Sequence, residues 1–222
     1  MLAWETPGTI ASLTRHLRRG AIVALPTETL YGLSCVATDA SAVTRLAMLK
    51  GITPARGFVA LVARCEMLEP FLAAGHDPRA LSFLRAVWPA PLSAILAVRP
   101  GLPWAEAQGG GHTAAFRVPA HAALLQLLSA LDVPLVSTSA NRTGEPPLGD
   151  GAAIATCFAA SLAAVVVEPS AGAAAGARPG LPSTLADFTR WPPVVRRAGA
   201  YDLQAALGAH LRSQAPGARE GD

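Results

Sequence analysis

Cysteine is scarce in this chain of 222 residues. Its three cysteines, Cys35, Cys65 and Cys157, are odd in number, and no two of them form a Cys-x-x-Cys pair. This usage argues against a disulfide framework or a zinc site and indicates a reducing compartment. The five histidines are scattered and lack the paired spacing of metal ligands, so the sequence predicts no metal site.

Signals for export and for a membrane span are also lacking. Met1–Pro7 has neither the basic start nor the apolar run of a signal peptide. The one uncharged stretch near membrane length, Gly151–Val167, consists mostly of small residues and predicts a soluble helix followed by a buried strand. We therefore expect a soluble cytoplasmic protein that does not associate with membranes.

Charged residues make up only 15% of the chain, and hydrophobic residues make up 51%. Such a composition can form a sizeable core and argues against global disorder. The net charge of +3 suits anionic ligands such as nucleotides, but there is no concentrated basic stripe typical of a dedicated nucleic-acid binder.

Lysine is nearly absent, because 17 of the 18 basic residues are arginine and only Lys50 is lysine. Lys50 falls in the last turn of a predicted helix, where a cation stabilises the helix dipole. An arginine would serve that purpose equally well. A compact ammonium at this one position therefore favours a contact with phosphate.

Helical and strand-like patterns alternate along the chain, which predicts an α/β sheet covered by helices. Predicted helices include Thr9–Arg19, Ser41–Lys50 and Ala120–Leu131, and predicted strands include Ala21–Leu25. There is no internal repeat and no convincing linker. We expect a single domain over residues 8–212 and a disordered tail over residues 213–222.

The segment Pro134–Pro147 carries the densest cluster of small hydrogen-bonding side chains. A short apolar run leads into Ser137, Thr138, Ser139 and Asn141. Ligands of open α/β sheets bind at the carboxyl ends of strands, where this cluster is expected to lie. These groups can donate to phosphate oxygens without adding negative charge. The alternative is a turn in which the same side chains bond the local backbone.

This segment resembles the L-threonylcarbamoyladenylate synthases, the YrdC-like or TsaC-like family that prepares threonylcarbamoyl-AMP for tRNA t6A37 modification. A second similar block is Leu25–Leu33, which contains Pro-Thr-Glu-Thr. Five shorter blocks follow in the family's order: Leu49–Gly51, Trp88–Leu92, Phe116–Pro119, Pro182–Asp187 and Arg196–Gly199. The resemblance implies a YrdC-like domain with a twisted mixed sheet and a concave binding face. Larger members carry an extra C-terminal domain, which we do not expect here.

The resemblance also implies residue roles. Lys50, Ser139, Asn141, Ser183 and Arg197 match nucleotide-binding positions, and Thr27, Arg117, Ser137 and Thr138 are expected near threonine. Three of these assignments have local alternatives. Thr27 could bond only its own turn, Arg117 could belong to a structural ion pair, and Arg196 could take the place of Arg197.

One position departs from the family's pattern. The family has arginine two residues after the lysine, whereas this chain has Ile52, which cannot bind phosphate. Arg56 follows four residues later, and we predict that it joins Lys50 as a catalytic cation. Gly51, Pro54 and Gly57 would allow the required bend.

The expected reaction joins ATP, L-threonine and bicarbonate, with Mg²⁺ accompanying the nucleotide. Its product would pass to the tRNA threonylcarbamoyltransferase machinery. Two alternatives stay open. A YrdC-like paralogue could bind nucleotide, tRNA or double-stranded RNA without synthase activity, which Ile52 favours. A carbamoyltransferase is the more distant alternative, because those relatives also carry acylphosphatase and zinc modules.

Overall fold

The computed structural model describes residues 1–52, 58–100, 112–168 and 180–214. In these ranges the helices are α1 (Thr9–Arg18), α2 (Ala40–Lys50), α3 (Pro78–Val87), α4 (Ala122–Leu131), α5 (Gly151–Cys157) and α6 (Leu203–Gln214), with a 3-10 turn at Cys65–Leu68. The strands are β1 (Leu2–Ala3), β2 (Val23–Leu25), β3 (Gly32–Val36), β4 (Val59–Leu61), β5 (Leu92–Ala97), β6 (Thr113–Arg117), β7 (Leu135–Ser139), β8 (Ala164–Val167), β9 (Thr184–Asp187) and β10 (Val194–Arg197).

The ten strands form one mixed sheet in the order β1-β8-β2-β3-β7-β4-β6-β5-β9-β10. The pairs β1–β8, β2–β8, β4–β6 and β5–β9 are parallel, and the other neighbours are antiparallel. β7 therefore lies between β3 and β4, near the middle of the sheet. This mixed sheet with helices confirms the predicted α/β fold class.

Helix ends follow local chemistry. Asp39 caps α2 by accepting the Ala42 N–H, and Gly51 ends it with φ 59°, a left-handed conformation that glycine adopts without strain. At α3 the Asp77 carboxylate accepts the Arg79 N–H, and Pro78 occupies the first turn, where the N–H that proline lacks would have no helical partner.

The core lies on both faces of the sheet because side chains alternate along each strand. On β2, Val23 and Leu25 join one cluster, which contains Leu13 and Leu17 of α1 and the leucines of α4. Ala24, between them, joins the other cluster with residues from α2, α3 and α6. Burying one such leucine is worth about 1.5–3 kcal/mol, so this two-sided core fixes the strands that carry the site.

The structure differs from the predictions at several places. β3 was not predicted as a strand, although its register against β7 positions much of the site. α6 continues to Gln214, past residue 213 at which the predicted tail begins, and residues 215–222 lie outside the described ranges. Among the described residues, no helix is both long and apolar enough to cross a membrane.

Candidate active site

A cavity of about 360 Å³ gathers most of the predicted site residues. Its size falls within the usual range of ligand pockets, roughly 300–1,000 Å³. Ser137, Thr138 and Ser139 line it from β7, Arg117 from β6 and Arg197 from β10. The remaining lining residues are Thr27, Thr29, Leu30, Val59, Leu61, Pro147, Gly180, Pro182 and Ser183. Several distant segments thus converge on one polar, cationic pocket.

A larger cavity of about 640 Å³ lies elsewhere, beside Arg19, Arg45 and Met48. The Arg45 guanidinium is already engaged there, since it donates to the Ser41 hydroxyl and to the Gly20 carbonyl, both at 2.6 Å. The smaller cavity combines two arginines with converging hydroxyls. We therefore place the functional site in the smaller cavity.

Thr27 lies in the turn between β2 and β3, and its hydroxyl bonds that turn. Thr27 Oγ1 donates to the Leu30 carbonyl at 2.7 Å and accepts the N–H groups of Thr29 and Leu30 at 3.1 and 3.2 Å. The local-bonding alternative therefore describes these contacts, yet the side chain also lines the cavity. Contact with threonine stays a prediction.

Arg117 forms a buried ion pair with Glu28. Arg117 Nη2 donates to Glu28 Oε2 at 2.6 Å, and the two side chains are 6% and 1% exposed. Nη1 also donates to Thr29 Oγ1 at 3.2 Å, while Arg117 Nε and Glu28 Oε1 have no partner among the described residues. Arg117 thus belongs to an ion pair and lines the cavity at once. Sequence reasoning missed Glu28, although it lies within the Pro-Thr-Glu-Thr block.

Serine pairs support the cavity wall from behind. The fully buried Ser34 hydroxyl donates to Ser137 Oγ at 3.1 Å. The fully buried Ser93 and the lining Ser183 share a hydrogen bond of 2.9 Å. Neither Ser34 nor Ser93 was predicted, because a lone serine within an apolar strand carries no sequence signal.

Lys50 lies behind the β7 end of the cavity. Its ammonium donates to the carbonyls of Ser139 and Asn141 at 2.8 and 2.5 Å and to Asn141 Oδ1 at 2.7 Å, which uses all three hydrogens. The Thr143 hydroxyl donates to the Lys50 carbonyl. Burial lowers the pKa of Lys50 to about 8, and the ammonium has no carboxylate partner among the described residues. Lys50 is thus a buried cation that holds the loop after β7.

The Asn141 side chain is hydrogen-bonded within this loop. Its amide nitrogen donates to the carbonyls of Arg142 and Glu145 at 3.0 and 2.6 Å, and its Oδ1 accepts the Ser139 hydroxyl at 2.6 Å. Ser139 lines the cavity, whereas Asn141 and Lys50 are not among the lining residues. Of the predicted cluster, Ser137, Thr138 and Ser139 therefore line the cavity, and Asn141 does not.

The structure separates the two adjacent arginines of β10. Arg197 lines the cavity and donates to the Ser183 carbonyl at 3.0 Å, whereas Arg196 pairs with Asp187. Partial desolvation and the nearby charge of Arg117 lower the pKa of Arg197. Arg197, rather than Arg196, therefore lines the candidate cavity.

Ile52 completes the end of α2. Its N–H donates to the Ala47 carbonyl at 3.2 Å while the Gly51 N–H donates to Met48, the bond pattern of a Schellman motif. The Ile52 side chain packs against the core, which suits the apolar residue that this motif favours. Arg56, its predicted substitute at the nucleotide, lies outside the described residues, as do Pro54 and Gly57.

The two buried thiols, Cys35 and Cys65, contribute no alternative chemistry, and the described ranges hold no cluster of metal ligands. Burial raises the pKa of Cys35 to about 12 and that of Cys65 to about 11, so both thiols stay protonated at neutral pH. Residues 1–52, 58–100, 112–168 and 180–214 contain no cluster of histidine, cysteine and carboxylate residues able to hold a metal ion. The site is suited to binding anions and to stabilising charge on them.

The chain is similar to known proteins in sequence and in fold. The sequence matches the Sua5/YciO/YrdC family model, described as telomere recombination, over residues 15–199. It is 40% identical over 159 residues to the threonylcarbamoyl-AMP synthase of Chromohalobacter salexigens, an alignment that covers 69% of this chain and 82% of the relative.

Solved structures share the fold. That of Pyrococcus abyssi Sua5 complexed with L-threonine is 31% identical with a TM-score of 0.78, and it covers 88% of this chain. The alignment covers 55% of the Pyrococcus protein, so this chain spans little more than half of that relative. Escherichia coli YciO, at 23% identity and a TM-score of 0.75, supports the fold alone.

Proposed function

The chain belongs to the Sua5/YciO/YrdC family, and on that premise we propose that it is an L-threonylcarbamoyladenylate synthase. It would convert ATP, L-threonine and bicarbonate to threonylcarbamoyl-AMP and pyrophosphate. This reaction is a nucleotidyl transfer that supplies the tRNA t6A37 modification in the cytoplasm. One observation carries the proposal: two arginines and several hydroxyls converge on one cavity in a chain 40% identical to a threonylcarbamoyl-AMP synthase.

The amino-acid end of the cavity is assigned to Arg117 and its neighbours. A guanidinium matches the two oxygens of a carboxylate, and Arg117 lines the cavity while Glu28 holds it at 2.6 Å. Thr27, Ser137 and Thr138 line the same cavity and would also contact threonine. The solved threonine complex of Pyrococcus abyssi Sua5 supports this substrate.

The nucleotide is assigned to Ser139, Asn141, Ser183, Arg197 and Lys50. Ser139, Ser183 and Arg197 lie on the cavity wall and can donate to phosphate oxygens. Asn141 and Lys50 act from behind, where Lys50 brings positive charge within 2.8 Å of the Ser139 carbonyl. Arg56 would add a second catalytic cation in place of the arginine that Ile52 replaces.

In the reaction the substrates supply both the nucleophile and the leaving group. The threonine amine takes up bicarbonate with loss of water to form an N-carboxylate. A carboxylate oxygen then bonds to the α-phosphorus of ATP as the bond to the β-phosphate oxygen breaks, which releases pyrophosphate. The protein needs only to hold both reactants close and to stabilise charge on the phosphoryl oxygens.

Magnesium is expected to arrive with the triphosphate. The described cavity wall carries hydroxyls and guanidinium groups but no carboxylate, so it offers no oxygen cage for the ion. Magnesium would neutralise part of the phosphate charge, and the residues named above would position the nucleotide.

The test is pyrophosphate release from ATP by the purified chain with magnesium, after omission of each substrate in turn. We expect release that requires both threonine and bicarbonate. Release at the rate of a buffer blank would contradict the synthase and favour the paralogue that binds nucleotide or RNA. RNA binding would then show a steep salt dependence and no competition by ATP. Product transfer to the tRNA threonylcarbamoyltransferase machinery is a separate expectation.

A further inference from the structure

The Ser137 hydroxyl of β7 is positioned by the neighbouring strand β3. The two strands run antiparallel, with Gly32 opposite Ser139 and Ser34 opposite Ser137. Ser137 lines the cavity, whereas Gly32 and Ser34 are both buried in the sheet. Two features of β3 therefore act on one hydroxyl that faces a ligand.

The first feature is the direction of a hydrogen bond. Ser34 Oγ donates to Ser137 Oγ at 3.1 Å. A serine hydroxyl has one hydrogen, so Ser137 retains its own for another acceptor. Within the described ranges no acceptor receives that hydrogen, and the side chain lines the cavity. Ser137 is thus available as a donor to a ligand.

The second feature is space. A Cβ atom on Gly32 would lie 2.3 Å from Ser137 Oγ, well inside van der Waals contact, but 3.7 Å from Ser137 Cβ. Of the atoms around Gly32, only Ser137 Oγ would therefore clash with a Cβ at position 32. Any residue with a Cβ at position 32 would displace Ser137 Oγ from its observed position.

We propose that Gly32 and Ser34 are positioning residues that fix the Ser137 hydroxyl as a donor to an anionic oxygen of the amino-acid substrate. Gly32 leaves room for Ser137 Oγ. Ser34 donates its own hydrogen to that oxygen, so the hydrogen of Ser137 is left to point toward the ligand. The inference rests on the proposed function and assigns a specific role to two residues that do not touch the substrate.

A double-mutant cycle in the full chain tests the role of Gly32. The variants are Gly32→Ala, Ser137→Ala and the double variant, each measured for Tm and for KM of threonine and of ATP. We expect each single variant to raise the threonine KM by about tenfold, as for one hydrogen bond to a charged group. The double variant should match Ser137→Ala and recover the Tm lost in Gly32→Ala, because the clashing oxygen is gone.

Two further variants separate positioning from packing. Ser34→Ala introduces no clash, so it can be measured even if Gly32→Ala does not fold. We expect Ser34→Ala to raise the threonine KM by roughly threefold. The matched control is Gly151→Ala, whose Cβ would lie 2.5 Å from Val167 Cγ1; neither Gly151 nor Val167 is among the residues that line the cavity. It should lower the Tm and leave the threonine KM unchanged.

The proposal is overturned if the effects of Gly32→Ala and Ser137→Ala multiply, or if Ser34→Ala leaves the threonine KM unchanged. A selective rise in the ATP KM would also overturn it, since Ser137 would then serve the nucleotide. If the wild type makes no adenylate, the proposed function fails, and threonine affinity by calorimetry replaces KM. If the double variant then matches Ser137→Ala in threonine affinity, the inference is supported. A wild-type protein that binds no threonine would contradict the inference.

Discussion

The Arg117 guanidinium donates to the Glu28 carboxylate at 2.6 Å and lines the candidate cavity as well. A buried ion pair contributes little to stability by itself, but removal of one partner leaves an uncompensated charge and costs about 3–5 kcal/mol. Glu28 therefore fixes the orientation of the cavity-lining cation. Substitutions of Arg117 must therefore keep a positive charge beside Glu28 if they are to report on ligand binding and not on stability.

Arg117→Lys should raise the threonine KM by about tenfold with a smaller change in kcat. The lysine keeps the charge beside Glu28 but cannot reproduce a two-pronged contact with a carboxylate. Steady-state kinetics with varied threonine measure this effect. Arg117→Ala is less informative because it strands the Glu28 charge and should lower the Tm strongly. A normal threonine KM in a folded Arg117→Lys protein would show that Arg117 is structural only.

The adjacent arginines of β10 provide a matched pair for the nucleotide contact. Arg197 lines the cavity, whereas Arg196 pairs with Asp187. Arg197→Lys should raise the ATP KM by about tenfold, because a phosphate contact through a planar fork is lost. Arg196→Lys should leave both KM values near those of the wild type. Equal effects of the two substitutions would contradict the assignment.

Binding of ATP should depend on pH through Lys50. Burial lowers its pKa to about 8, so the ammonium is charged below that pH and is neutralised as the pH rises through 8. Bound phosphate favours the charged form, so ATP affinity should fall above about pH 8, by at most tenfold per pH unit. Calorimetric titrations at pH 8 in buffers of different ionisation heat should detect proton uptake on binding.

Lys50→Gln is the control for that pH dependence. The amide can keep part of the contact with the loop after β7 but does not titrate. Its ATP affinity should be weaker and flat over about pH 7.5–9.5. A variant that shows the wild-type pH dependence would place the titrating group elsewhere.

Position 52 tests how the chain works without the family's usual arginine. Arg56→Ala should lower kcat/KM by about tenfold, which corresponds to about 1.4 kcal/mol of transition-state stabilisation. Ile52→Arg in that background should recover part of the loss. It should also lower the Tm by roughly 2–4 °C, because Ile52 packs against the core at the end of α2. Silent Arg56→Ala with strong activation by Ile52→Arg alone would contradict compensation by Arg56.

The sequence predicted much of the fold because helix signals and buried runs are local. Asp77 with Pro78 is a local helix-start signal that coincides with the start of α3, and the helix and strand predicted within Gly151–Val167 match α5 and β8. β3 escaped prediction because glycine and serine interrupt its apolar pattern. Gly32 and Ser34 both face Ser137. The two residues that weaken the strand pattern of β3 therefore lie next to a residue that lines the cavity.

The candidate site was predictable only in part. Motif resemblance indicated Arg117, Ser139 and Arg197, which the fold brings to one cavity. The residues that hold the site depend on contacts between distant segments, such as Lys50 with Asn141 or Glu28 with Arg117. Such pairings are set by strand register, which no local pattern in one sequence specifies.

Transfer of labelled carbon tests the central claim most directly. Purified protein is incubated with ATP, magnesium, L-threonine and ¹⁴C-bicarbonate, and the nucleotide products are separated. The synthase account predicts a labelled AMP conjugate that forms only with threonine and accumulates with one pyrophosphate per conjugate. Pyrophosphate release without label in the nucleotide, or no product above the protein-free control, would contradict it.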